Sequence, residues 1–437
     1  MHTAKVLATR LFLLLFFLSA ASQVWTHKGH GKVILLMVDG MRWDLFGLDL
    51  PELQKIEENG VRARWMDPVF LTLTNPSAFS IATGLYVESH GVLLNVNFNP
   101  ETLERQYSFA EGINNTELWN QKGAEPIWVT AINQGHKAAT LQYPGCNVAI
   151  NGIWPTKNVI SYYWQWYNYA NHQAVDDTLS WLQEDDFDLA LIYFHQPDSI
   201  LHSFGYEDQR TIDVIKEIDS DIGYLFTKLE SEGLSDITDV IIVSDHGHVT
   251  LDPQKTIQIY DYIDPEDVHM LVAYVTVLEL EPKEGQLEKL YSILKGAHPN
   301  LHVFKQEDFP EQYHYGDNSR HLKIIGYVDS PWVLYEDSAD VKAYPPKGSS
   351  HGYDNGNKDM KSIFFAQGPS FKKGYQKEPF ESVNVYPLMC ELLNLDPAPN
   401  NGSRANYADM LISRGHRHIN TCNLAIVLAT LLVILLE

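Results

Sequence analysis

The run KVILLMVDG, Lys32–Gly40, is apolar without alternation and closes on an aspartate and a glycine. A strand with one wet face alternates apolar and polar residues. A continuous run suits a strand buried on both faces, as in a parallel sheet. Three more runs share this character: DLALIYFHQPD (Asp188–Asp198), DVIIVSDHG (Asp239–Gly247) and KSIFFAQGP (Lys361–Pro369). Between them, DQRTIDVIKEIDSDIGYLFTKLESEG (Asp208–Gly233) spaces its apolar residues at three and four, with Gly233 as a stop, and AVDDTLSWLQEDD (Ala174–Asp186) is also helix-like. This alternation predicts an α/β fold: a doubly wound, mostly parallel sheet with helices on both faces. Shorter strand-like pieces from Asp252 to Asp329 predict a small inserted lobe, and LDPAPNNGS (Leu395–Ser403) reads as the exit from the folded domain.

The ends of the chain predict a route through the secretory pathway. Residues 1–22 have a basic start (Lys5, Arg10), an apolar run from Leu11 to Leu18 and a small-residue SAAS, the pattern of a signal peptide. Residues 23–403 would then form a single domain, 404–423 a polar linker and 424–437 a hydrophobic tail. The apolar stretch Leu424–Leu436 is short against the ~20 residues of a spanning helix. It predicts either a lipid-anchor signal or a short membrane segment, with the protein at the extracellular face of the cell membrane. Removing the leader leaves 30 basic against 56 acidic residues, a net charge of −26. That balance argues against a nucleic-acid partner, which needs basic surface to neutralise phosphates. Cys146, Cys390 and Cys422 are too few for a disulfide scaffold. Sequons at Asn114 and Asn401 are compatible with glycosylation.

Three of the apolar runs lead into an aspartate: Asp39, Asp198 and Asp245. In open α/β sheets the ligand site lies beyond the carboxyl ends of the strands. One such Asp could simply cap a helix, but each has further company. His202 follows Asp198 by four residues, which places both on one face of a helical turn. His246 follows Asp245 directly, and His351 lies in HGYDN before the last run. Carboxylate and imidazole are both zinc ligands, so the pattern predicts a di-metal site.

The motifs VDGMRWD (Val38–Asp44), TLTNPSAFSIATGLYVESHGV (Thr72–Val92), PDSILHSFG (Pro197–Gly205), SDHGH (Ser244–His248) and HGYDN (His351–Asn355), in this order, resemble the ectonucleotide pyrophosphatase/phosphodiesterase family of the alkaline phosphatase superfamily. The likeness runs from about Lys32 to Ser403. Lys283–Glu311 and Pro379–Leu393 are most similar to its choline-phospholipid branch, the alkaline sphingomyelinases. The resemblance implies an alkaline-phosphatase-like fold and two zinc ions. One ion would be held by Asp198, His202 and His351, the other by Asp39, Asp245, His246 and the nucleophile Thr74. It also implies that Asn95 binds a phosphate oxygen. A zinc phosphodiesterase of phospholipase C type is the activity implied: sphingomyelin at a membrane surface would give ceramide and phosphocholine through a phosphothreonine intermediate. Lysophosphatidylcholine, glycerophosphocholine and nucleotides are alternative substrates, and an inert lipid-binding ectodomain is the alternative to an enzyme. Asn75 stands where nucleotide-hydrolysing relatives carry a base-stacking aromatic. Ala78 and His248 also depart from the commoner residues of their motifs, and neither is expected as a ligand.

A choline head group is held by aromatic faces. SYYWQWYNYANH (Ser161–His172) offers Trp166 and Tyr167 among its rings, LQYPGCN offers Tyr143, and Tyr262 is a further candidate. Core packing is the competing role for each of them. Protein secreted from a eukaryotic host is expected to lack about its first 22 residues and to lose mass on enzymatic deglycosylation; an N-terminus at Met1, read by mass spectrometry, would contradict the leader.

Overall fold

The structure, a computed structural model, describes residues 31–99, 102–103, 105–106, 114–121, 123–160 and 169–412. The expected leader, the C-terminal tail, Trp166 and Tyr167 lie outside the described residues. All four apolar runs form strands of one eight-stranded sheet. Its members are β1 (Lys32–Val38), β2 (Val61–Ala63), β3 (Ala138–Leu141), β4 (Lys157–Val159), β5 (Leu189–Phe194), β6 (Thr238–Val243), β11 (Phe364–Gln367) and β12 (Tyr375–Lys377). Their order is β12-β2-β11-β6-β1-β5-β3-β4. β1 pairs in parallel with β5 and with β6, so Leu35 sits between Leu191 and Ile241. Only β11 runs against its neighbours.

The pleat of β1 sends alternate side chains to opposite faces. Val33, Leu35 and Met37 join one core with α2 (Thr74–Thr83), α3 (Ile127–Asn133) and α8 (Val385–Leu393). Ile34, Leu36 and Val38 join a second core with α1 (Pro51–Asn59), α4 (Asn171–Glu184) and α6 (Gln209–Ser231). Both faces are therefore covered, which is why the strands read as continuous apolar runs. The α6 helix begins at an Asp208 side-chain cap and stops just before Gly233, whose φ of 72° only glycine adopts freely.

Between β6 and β11 the chain builds the lobe, an antiparallel sheet of β7 (Val268–Tyr274), β8 (Val277–Pro282), β9 (Leu301–Lys305) and β10 (Ile324–Val328) in the order β7-β8-β10-β9. Leu290 and Leu294 of α7 (Leu287–Leu294) pack on it. The lobe extends further than expected: Val333–Tyr335 pairs in parallel with Thr256–Gln258. Such short segments carry too little periodicity to be read from sequence. Val249–Thr250 pairs antiparallel with Ser349–Ser350, so entry and exit of the lobe form one stem. Cys146 and Cys390 are buried free thiols, and no helix among the described residues is long and apolar enough to cross a membrane.

Leu35 is fully buried at the centre of the sheet. Leu35→Ala is expected to lower unfolding free energy by about 2–5 kcal/mol, measured by urea denaturation.

Candidate metal centre

The three central strands, β6, β1 and β5, end side by side, and their carboxylates converge. Asp39 immediately follows β1, Asp245 lies two residues beyond β6, and Asp198 opens α5 (Asp198–Phe204) beyond β5. The lobe stem then carries His248 on one strand's approach and Ser349 and His351 on the other. Thr74 is the first residue of α2, whose whole length is buried. The aligned peptide dipoles of the helix give that end positive character.

Two groups result. Asp39, Asp245 and His246 form one, and Asp198, His202, His248 and His351 form the other, with one ligand-capable atom from each residue within 4.8 Å of the rest of its group. The His246 and His351 rings, one from each group, stack with centroids 3.6 Å apart. Thr74 Oγ1 lies 3.2 Å from His246 Nε2.

Backbone carbonyls decide the tautomers. A ring nitrogen facing a carbonyl must donate to it. His246 Nδ1 faces Gly247 O, His202 Nδ1 faces Ser349 O and His351 Nδ1 faces Thr72 O, at 3.2, 3.0 and 2.9 Å. In the neutral rings each Nε2 is then a lone pair. Those lone pairs are aimed at carboxylates: His246 Nε2 is 3.3 Å from both Asp39 Oδ1 and Asp245 Oδ2. His202 and His351 Nε2 are 3.2 and 3.5 Å from Asp198 Oδ1. Lone pairs so placed repel unless a metal ion or a proton lies between them. Zinc bonds of about 2.0–2.1 Å put two tetrahedral ligands about 3.3 Å apart, which matches these separations. Asp39 Oδ1 and Asp245 Oδ2 are also buried without a hydrogen bond. The residues present therefore fit metal ions.

In the first group the electrostatics agree; in the second, burial is outweighed by the mutual attraction of Asp198 and His202, which holds Asp198 well below the usual carboxylate range and raises His202. Burial, then the charges of Asp245 and Asp198, pushes Asp39 well above the usual carboxylate range. Burial pushes Asp245 up to about 7, against the lowering effect of the Gly40 N–H. Burial holds His246 well below its ordinary value and pushes His351 down to about 3, so both stay neutral and able to ligate. These carboxylates need positive charge nearby to be ionised together.

Around the groups, Tyr193 of β5 donates its hydroxyl to Asp39 Oδ2 and orients it. The Asn75 N–H donates to Asn95 Oδ1 at 2.8 Å, which turns the Asn95 amide nitrogen away from that contact. Thr72 Oγ1 donates to Tyr353 O at 2.9 Å and accepts from Gly352 N–H at 3.1 Å, tying the His351 loop to the start of α2. Thr83 donates to Phe79 O and Ser80 pairs with His90, so neither hydroxyl belongs to the two groups.

Of the aromatic candidates, Tyr143 and Tyr262 are among the described residues. Tyr143, expected to face choline, is 1% exposed, and its hydroxyl donates to Ala78 O in the core under α2. Its ring packs edge-on against Trp128 of α3 within the core. Tyr262 is half-buried among the apolar residues of the lobe. Asn114 and Asn401 are exposed. Sequence reasoning missed His248 and Tyr193. The second histidine of SDHGH was a visible signal for the first; the second is hidden inside an apolar run.

Fold and site together define a class: a mostly parallel α/β sheet with two carboxylate–imidazole groups and a helix-start hydroxyl at its carboxyl edge. The chain belongs to the type I phosphodiesterase/nucleotide pyrophosphatase family, whose model matches residues 33–354. It is 37% identical over 438 residues to ectonucleotide pyrophosphatase/phosphodiesterase family member 7 of Mus musculus, covering 95% of this chain and 96% of that one. Identity to family member 7 of Homo sapiens is also 37%, covering 94% and 90%. An inactive variant of murine ectonucleotide pyrophosphatase/phosphodiesterase 5, solved in complex with AMP, superposes with a TM-score of 0.81 at 32% identity, covering 87% of this chain and all of that one.

Asp245→Asn keeps shape but removes a charge from one group alone. Purified variant is expected to hold one divalent ion per chain against two for the parent, counted by plasma mass spectrometry; equal counts would contradict the assignment.

Proposed function

We propose that the chain is a zinc phosphodiesterase of phospholipase C type that cleaves choline phospholipids, foremost sphingomyelin, to the lipid alcohol and phosphocholine. The observation that carries this reading is the buried Thr74 hydroxyl, at a helix start, 3.2 Å from a histidine of one carboxylate–imidazole group and beside the other. Asp198, His202 and His351 would hold one ion. Asp39, Asp245, His246 and Thr74 would hold the other. Zinc, when bound there, supplies Lewis acidity and positive charge beside the reacting phosphate.

The chain's own groups then have definite tasks. A threonine hydroxyl is a weak nucleophile and needs activation. Thr74 Oγ1 attacks phosphorus, the bond from phosphorus to the lipid alcohol breaks, and the alcohol departs with a proton. Phosphocholine is left esterified to Thr74. Water then attacks the same phosphorus, phosphocholine is released and the Thr74 hydroxyl is restored. Asn95, its Oδ1 held by the Asn75 N–H, offers its amide nitrogen to a non-bridging oxygen, and the Thr74 N–H at the positive end of α2 offers a second donor.

The choline branch is supported by the sequence resemblance and by the identity with family member 7 over nearly the whole chain. A nucleotide substrate is the second reading, favoured by the AMP complex of a relative. Against it, Asn75 is 1% exposed and its carboxamide offers no ring to a base. Residues 1–22 as a cleaved leader and 424–437 as a lipid-anchor signal or short membrane segment complete a reading in which the enzyme works at the extracellular face of a membrane.

Thr74→Ala is expected to abolish sphingomyelin hydrolysis while two ions per chain remain; an unaffected rate would remove Thr74 as nucleophile. Asn95→Ala is expected to lower kcat by about 100–1,000-fold, the usual loss for one oxyanion donor. Parallel assays with sphingomyelin, lysophosphatidylcholine, glycerophosphocholine and a dinucleotide rank the substrates, and a higher kcat/KM on the dinucleotide would overturn the lipid reading.

A further inference from the structure

We propose that His248 is a positioning residue for the second group: its Nε2–H donates to Asp198 Oδ1 and sets that carboxylate for the ion it shares with His202 and His351. This rests on the two-metal reading above. His248 belongs to the cluster by distance, but its geometry differs from that of its neighbours. Its Nε2 lies 2.8 Å from Asp198 Oδ1, against 3.2 Å for His202 and 3.5 Å for His351. The longer two match the edge of a zinc tetrahedron, about 3.3 Å. The shortest is a charge-assisted hydrogen-bond length. Two zinc ligands that close would subtend only about 90° at the metal, well short of tetrahedral.

The rest of the ring's surroundings serve that bond. His248 is fully buried. Its Nδ1 lies 3.1 Å from Ser349 Oγ, and the same hydroxyl lies 3.1 Å from Leu201 O; that carbonyl already accepts from the Gly205 N–H at 2.8 Å, which leaves the Ser349 proton for His248. With Nδ1 accepting, the neutral ring carries its proton on Nε2, facing Asp198. This is the opposite tautomer from His202, His246 and His351, whose Nδ1 atoms face carbonyls. Arg42 Nη1 donates to His248 O at 3.1 Å and fixes the backbone. The lobe stem fixes the register, with Val249 opposite Ser350. Gly40 makes the room: a Cβ there would lie 2.8 Å from His248 Nε2 and 3.1 Å from Asp198 Cα. An ionised carboxylate has about four lone-pair sites, so Asp198 can accept this bond and still coordinate. Hydrogen bonds to metal-ligating groups typically govern metal affinity by 10–100-fold.

The test measures zinc affinity, by competition with a chromophoric chelator, in the parent chain, His248→Ala, His248→Gln and Ser349→Ala, with folding checked by thermal melting. The parent is expected to bind two ions. His248→Ala is expected to weaken one site about 10–100-fold and leave the other unchanged. His248→Gln keeps an N–H donor but is a poor zinc ligand, so it is expected to restore most of the affinity and to leave the visible spectrum of the cobalt-substituted protein unaltered. Ser349→Ala is expected to weaken the same site by a smaller factor, and it carries the test with His248→Gln if His248→Ala does not fold. Unchanged affinities in His248→Ala overturn the proposal. So does a His248→Gln variant as weak as His248→Ala with an altered cobalt spectrum, which would make His248 a ligand. A parent chain that binds no zinc overturns the two-metal reading and this inference with it.

Discussion

Three carboxylates forced together at the ends of adjacent parallel strands are the constraint on which the rest of this structure turns. Neighbouring strands lie about 4.8 Å apart, so groups at the ends of β6, β1 and β5 cannot avoid one another. Asp39 and Asp245 are almost fully buried, and two of their oxygens have no hydrogen bond. Burial of a charge is expensive unless it is paired or bound to metal. His246, whose Nε2 lone pair points at both oxygens, makes the same demand from the other side. The site is thus an arrangement of electron pairs that cations would complete, and its folded geometry already has the separations they require.

The surrounding architecture holds that arrangement in place. The two cores cover the sheet from both faces. The α2 helix is buried along its length and brings Thr74 to the junction of the two groups. Thr72 fastens the His351 loop to the segment before α2, and the lobe stem sets His248 and Ser349 across from each other. The lobe, although remote in sequence terms from the strand-end motifs, therefore supplies one wall of the centre.

Much of this was legible in the sequence for a physical reason. Strands buried on both faces read as unbroken apolar runs, and Asp39, Asp198 and Asp245 follow those runs directly. The i, i+4 spacing of Asp198 and His202 survives as one turn of α5. What could not be read depends on contacts between distant segments. His248 gains meaning only when the stem brings Ser349 beside it. Tyr193 reads as one more apolar strand residue until its hydroxyl is seen on Asp39. Tyr143 has the composition of a ligand-binding ring, but the packing of α2 over it decides its burial. The true extent of the lobe rests on a three-residue strand pair, too short to leave a period.

The central claim is that Thr74 is the atom-bearing nucleophile of a two-step transfer between these groups. Acid quenching of the enzyme during turnover of sphingomyelin, followed by peptide mass spectrometry, tests it most directly. The account predicts phosphocholine attached to the peptide containing Thr74, absent from Thr74→Ala. Turnover at full rate with no adduct under any quench time, or an adduct on another residue, would contradict it.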